Sequence, residues 1–250
     1  MDGFSFGVLA VASALSVSAT TPPVSDKSAA VATPAFKTGD AWVFEKTTEK
    51  GQAGFSTERY DLAVERVDGD TMVVGVKRDG APTGYQDQIL GSDWSRRLLM
   101  NGQETVTNRP FAFPMSVGQT WTLDWTDPTR RGNVLSAHYQ KTCTVMGWED
   151  VTVLAGTFHA LKTVCKGVDE LQVEVPAQAV GGVVAGSGGS TSVAHAQKGG
   201  RGTVTHVIYN ETFYVPEIRY YVKAVDETYN RDNMRLSRAT DVLTSFKPGT

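Results

Sequence analysis

A chain of 250 residues can form one large all-β domain or two small domains. Its net charge of −3, with both signs interspersed, gives no electrostatic footprint for nucleic acid. An apolar fraction of 40% suits a globular protein that carries some unstructured sequence, and ten Phe, eight Tyr and five Trp can anchor a sheet core.

Residues 1–19 read as an export signal, with a mildly apolar centre from Phe4 to Leu15 and a small-residue exit at Val17-Ser18-Ala19. Asp2, and the lack of Lys or Arg at the start, depart from that pattern, and a flexible Ala/Ser-rich tail is the other reading. A membrane span is not expected in the mature chain, because serines and threonines break the run short of the ~20 apolar residues a spanning helix needs. Residues 20–35, with Pro22, Pro23 and Pro34 and no aromatic ring, read as a linker that buries too little to offset the cost of ordering. The folded part is expected over 36–247.

Gly39-Asp40 makes a turn before Trp42 and Phe44, which share one face at period two. A similar phrase returns at Gly118–Trp125, where Trp121, Leu123 and Trp125 alternate. Between the two copies, Glu58–Val67 and Thr71–Lys77 alternate around Asp68-Gly69-Asp70 and read as a hairpin. Residues 85–103 fit either a strand or a short helix. Phe111–Met115 reads as the end of a strand stopped by Pro114.

Ala137–Met146 leads into a central hairpin over 151–166, where two runs of Val, Thr and Phe flank Ala155-Gly156-Thr157. Residues 167–203 hold nine glycines and no aromatic, and read as a long flexible Gly-rich insertion, disordered or lid-like. Val204–Tyr209, then 212–226 broken at Pro216-Glu217, then Met234–Phe246 complete the strands. Cys143 and Cys165 flank the central turn, and neighbouring strands could pair them as a disulfide. Two buried thiols are the alternative.

Phe113-Pro114 with Val117–Trp121, the phrase Val151–Lys162 and the phrase Phe213–Lys223 together resemble sequence found in a family of uncharacterised exported bacterial proteins. The resemblance covers 36–166 and 204–247. It implies a single strongly curved antiparallel sheet or half-open barrel, similar to the half-barrel of periplasmic lipoprotein carriers. It implies no activity, so no functional residue is carried over.

The chemistry-bearing residues make no recognisable reaction centre. His138, His159, His195 and His206 lack the spacing of a metal site, and no cofactor is expected. Neither G-x-S-x-G nor a phosphate-loop Lys occurs, and Glu149-Asp150 and Asp226-Glu227 read as solvated turns. The informative residues are aromatic: Trp42, Phe44, Trp121, Trp125, Phe213, Tyr214 and Tyr220 are candidate ligand contacts on a concave face left partly unfilled by a sheet that does not close. The expected protein is periplasmic or secreted and non-catalytic, and binds a hydrophobic small molecule, a lipid or a partner chain. A structural component of the envelope acting through sheet edges is the alternative, and a hydrolase is the third reading.

Overall fold

The computed structural model describes residues 30–176, 178–186, 189–197 and 199–250. The expected export signal and most of the expected linker lie outside the described residues. The linker is shorter than expected at its near end: Val31 already pairs with Met115 through two backbone hydrogen bonds of 2.8 Å and packs against the core.

The described chain is built of strands: β1 (Ala41–Glu49), β2 (Phe55–Asp68), β3 (Thr71–Arg78), β4 (Gln86–Gly91), β5 (Arg96–Met100), β6 (Gln103–Asn108) and β7 (Thr120–Asp127). These are followed by β8 (Val134–Val153), β9 (Gly156–Val175), β10 (Gln178–Gly186), β11 (Gly189–Gln197), β12 (Gly200–Val215), β13 (Tyr220–Tyr229) and β14 (Arg235–Lys247). Ten of them form one antiparallel sheet in the order β4-β3-β2-β1-β14-β13-β12-β9-β8-β7. Its outer strands, β4 and β7, do not pair with each other, so the sheet stays open. It is nonetheless strongly curved, because Gln88 and Leu90 of β4 line the same cavity as Lys141 of β8 and Cys165 of β9.

Register slips help to produce that curvature. Pairing shifts by a residue at Val43/Phe44, Val64/Arg66, Val145/Gly147 and Phe213/Tyr214 toward one end of the sheet, and at Val134/Ser136 and Thr228/Tyr229 toward the other. A residue left unpaired in this way bends its strand and increases the local twist.

The central hairpin forms as its alternation predicts, with Val153 opposite Gly156 and a φ of 135° at that glycine. Two expectations change. Residues 111–115 are not a strand: together with Trp94 they cross the concave side, and Phe111 and Met115 are fully buried there. The stretch 167–203 is not a free insertion at its ends. β9 and β12 continue their ladder from Gly167↔Ile208 out to Val175↔Gly200, and β10 and β11 pair with each other between them. Backbone pairing needs no aromatic anchor, so the low-complexity composition there did not prevent a ladder.

The two ends of the trough differ. At the end holding the turns after β2, β8 and β12, Trp42, Phe44, Phe111, Tyr214, Met72, Val64 and Leu243 fill the concavity, each under 2% exposed. Three indole N–H groups fasten this end. Trp42 donates to the Ile218 carbonyl at 2.9 Å, Trp94 to the Arg219 carbonyl at 3.0 Å, and Trp121 to the Arg109 carbonyl at 3.0 Å. At the other end, where β7 finishes and β8 begins, no such plug is present among the described residues. The β5–β6 hairpin, which pairs only with itself, lies across the opening as a strap.

Candidate functional site: a strapped trough on the concave face

The inward residues follow from register. Trp121, Leu123 and Trp125 of β7 face Cys143, Lys141 and Tyr139 of β8, and those face Cys165, Gly167 and Asp169 of β9. The expected disulfide is present: Cys143 and Cys165 are bonded and sit directly opposite each other in the ladder. Gly167 belongs there because a Cβ would come within 2.0 Å of the Gln140 carbonyl oxygen and 2.6 Å of the Lys141 Cα.

A cleft of about 510 Å³ lies between the strap and these strands, within the range of small-molecule sites. Its apolar wall is Leu98 of the strap, Leu123, Trp125, Tyr139 and Ile208, with the Trp125 and Tyr139 rings stacked at 4.4 Å between centroids. A second cavity of about 300 Å³ shares Arg96, Asn108, Lys141 and Asn210 with it and extends toward Trp94 and Tyr220. A third, of about 180 Å³, shares Trp94, Tyr220 and Leu90 with the second and reaches Tyr60 and Lys46. The three form one trough along the sheet.

The middle of the trough is polar. The Lys141 ammonium donates to Asn108 Oδ1 at 3.3 Å, and Asn210 donates its amide to Asp226 Oδ1 at 2.6 Å. Burial lowers the pKa of Lys141 and raises that of Asp226, the latter opposed by Lys46, Asn210 and Lys141. Asp226 is itself exposed, where it lines the trough beside Tyr221 and Ala224. Further along, the Tyr60 hydroxyl donates to Asp241 at 2.8 Å and lies 3.3 Å from the Tyr221 hydroxyl, while Lys46 stands 3.6 Å from Asp241. Burial raises the pKa of Tyr60, Tyr220, Tyr221 and Asp241.

The aromatic candidates separate on inspection. Trp42, Phe44 and Tyr214 are wholly buried in the filled end and offer no surface to a ligand. Phe213 faces away from Tyr214 across the strand, between the ammonium groups of Lys162 and Lys223 at 5.2 and 5.4 Å from its ring centroid. It lies on the face opposite Tyr214, where it is itself buried at 4% exposure, and not in the trough. Trp121 is half-buried against the core. Trp125 and Tyr220 do line the trough.

Sequence reasoning missed Arg96, Lys141, Asn108 and Tyr139. A signal for the strap was present: Asn101-Gly102 has φ of 51° and 78°, the pair of positive values that a two-residue hairpin turn requires.

Three of the histidines serve elsewhere. His138 bonds Asp124 at 2.8 Å, His159 bonds Asp150 at 2.7 Å while stacking on Trp148, and His206 bonds Asp169 at 2.8 Å. Among the described residues none of these pairs has a serine, threonine or cysteine hydrogen-bonded to the ring.

No family model matches the chain, and no curated protein matches it. Two solved structures are similar. One is a candidate lipoprotein from Parabacteroides distasonis, at 15% identity and a TM-score of 0.45; the match covers 88% of this chain and 100% of that one. The other is a candidate exported protein with YmcC-like fold from Bacteroides fragilis, at 14% identity and a TM-score of 0.43, with the same coverage.

Proposed function

We propose that this is a non-catalytic exported protein that holds an elongated, lipid-like molecule in the trough beneath the β5–β6 strap. One observation carries the reading. Aromatic side chains fill one end of the concavity, whereas the other end keeps a cleft of about 510 Å³ walled by Trp125, Tyr139, Leu123, Ile208 and Leu98. Contact with such a wall releases water from apolar surface on both sides, and ~300 Å² of buried ligand surface is worth about 7 kcal/mol before association costs. The Cys143–Cys165 bond supports an oxidising compartment, as export provides.

The test is uptake of the uncharged fluorescent probe N-phenyl-1-naphthylamine by delipidated protein. Saturable uptake is expected, and Trp125→Ala is expected to weaken it about tenfold, the scale of losing a buried aromatic contact. No uptake, or uptake indifferent to Trp125→Ala and Tyr139→Ala alike, would remove the proposal.

The second reading, an assembly component of the envelope acting through sheet edges, is supported by the outer strand β4, where Ile89 is 69% exposed. Native mass spectrometry of protein taken from its own envelope separates the two: a co-purifying lipid favours the first and a protein partner the second.

A further inference from the structure

The trough has a charge asymmetry that a purely apolar ligand leaves unused. Its two apolar stretches meet at a waist where Arg96 of the strap and Lys141 of β8 line both adjoining cavities. Arg131, the other cation at the larger cleft, is already bound to Asp127 at 2.8 Å. Arg96 and Lys141 form no ion pair among the described residues. The partner seen for the Lys141 ammonium is the neutral Asn108 oxygen, which leaves further N–H donors free. Asp226, the carboxylate lining the same waist, takes a hydrogen bond from Asn210 and acts on Lys141 through its charge without pairing with it.

Lys141 is drawn partly out of bulk water with its ammonium in no ion pair, and a ligand anion would add charge-assisted hydrogen bonds to it and to the exposed Arg96 guanidinium. The placement also sets an orientation. Arg96 and Lys141 stand where the two cavities meet, and the apolar wall of Leu123, Trp125, Tyr139 and Ile208 belongs to the larger cleft alone.

We infer that the trough selects a single-chain anionic amphiphile, its carboxylate or phosphate head between Arg96 and Lys141 and its tail along the Trp125–Tyr139 wall. This rests on the trough being a ligand site at all, as proposed above, and adds the sign and place of the head group. The strap then has a chemical role: it brings one of the two cations to the head, and its Leu98 covers the tail.

The experiment is displacement of bound N-phenyl-1-naphthylamine by dodecanoate, dodecyl phosphate, dodecanol and dodecylammonium, all below their aggregation limits. Both anions should displace the probe at concentrations about ten- to a hundredfold lower than dodecanol, the scale of hydrogen bonds to charged groups. Arg96→Gln and Lys141→Gln should each weaken the anions by about tenfold and leave dodecanol unchanged. Arg96 is exposed on the strap, so its variant keeps the test valid even where Lys141→Gln fails to fold. Equal displacement by all four compounds, or an anion preference that survives both substitutions, overturns the head-group inference while the trough stands. Absence of probe uptake overturns both.

Discussion

The two ends of this sheet use the same kinds of side chain to opposite effect. At the filled end, Trp42 is fully buried and touches Phe36, Trp94, Tyr220 and Phe246, and its N–H reaches a backbone carbonyl. At the open end, Trp125 sits at an equivalent inward position of an edge strand, stacks on Tyr139 alone among the aromatic rings, and stays half in water. The difference lies in what crosses the concavity. Residues 94–115 bring Trp94, Phe111 and Met115 across one end, and the other end receives a self-paired hairpin that covers the space without filling it. An inward aromatic therefore becomes core or contact surface according to its cover, and its own alternation does not decide which.

The contrast can be broken most severely at the filled end. Trp42→Ala is expected to cost about 3–5 kcal/mol in urea unfolding, because the surrounding rings cannot close over the space. Trp125→Ala should cost far less, since its ring is already partly solvated, and equal losses would mean that both ends are core. Next in size is the disulfide. Replacing Cys143 and Cys165 together by Ala releases a crosslink between residues 22 apart, with an expected loss of about 3 kcal/mol by the chain-entropy account. A midpoint unchanged from wild type would show that the ladder alone holds β8 to β9.

The smallest effect sharpens the picture of the polar waist. Burial raises the pKa of Asp226, so the folded chain keeps that proton at pH values where the unfolded chain has lost it. Stability from this group is full below the ordinary carboxylate range near about 4, and is lost as pH rises through the raised value. Asp226→Asn should therefore raise the melting temperature at pH 7, with the gain shrinking as pH approaches about 4. A lower melting temperature at pH 7 would mean that the ionised carboxylate is held by more than Asn210.

How far the sequence disclosed all this depends on which residues were asked. Strand-forming runs with turn residues between them placed the central hairpin, but the turn's own register would set Cys143 opposite Lys166, and the slip at Val145/Gly147 is what brings it opposite Cys165. The same alternation puts Tyr139, Lys141 and Cys143 on one face. A lysine there reads as solvent-facing, because nothing local says that the inside of the sheet holds water. Residues 85–103 were ambiguous since Leu98-Leu99-Met100 has no period, although the turn at Asn101-Gly102 implied a hairpin. The glycines of 167–203 suggested a loose segment, but the pairing of β9 with β12 and of β10 with β11 runs through the backbone and does not need side chains there. Phe213 shows the limit of counting rings: a one-residue step along the strand separates it from Tyr214 and puts it on the outer face.

The indole hydrogen bonds of Trp42, Trp94 and Trp121 end on the carbonyls of Ile218, Arg219 and Arg109, in connecting segments, the parts of a β protein that ordinarily fluctuate most. Tying them down leaves the self-paired strap as the less anchored cover of the concave side. Amide exchange should accordingly be slow in those connections and fast in β5 and β6, the reverse of the usual ranking of loops and strands.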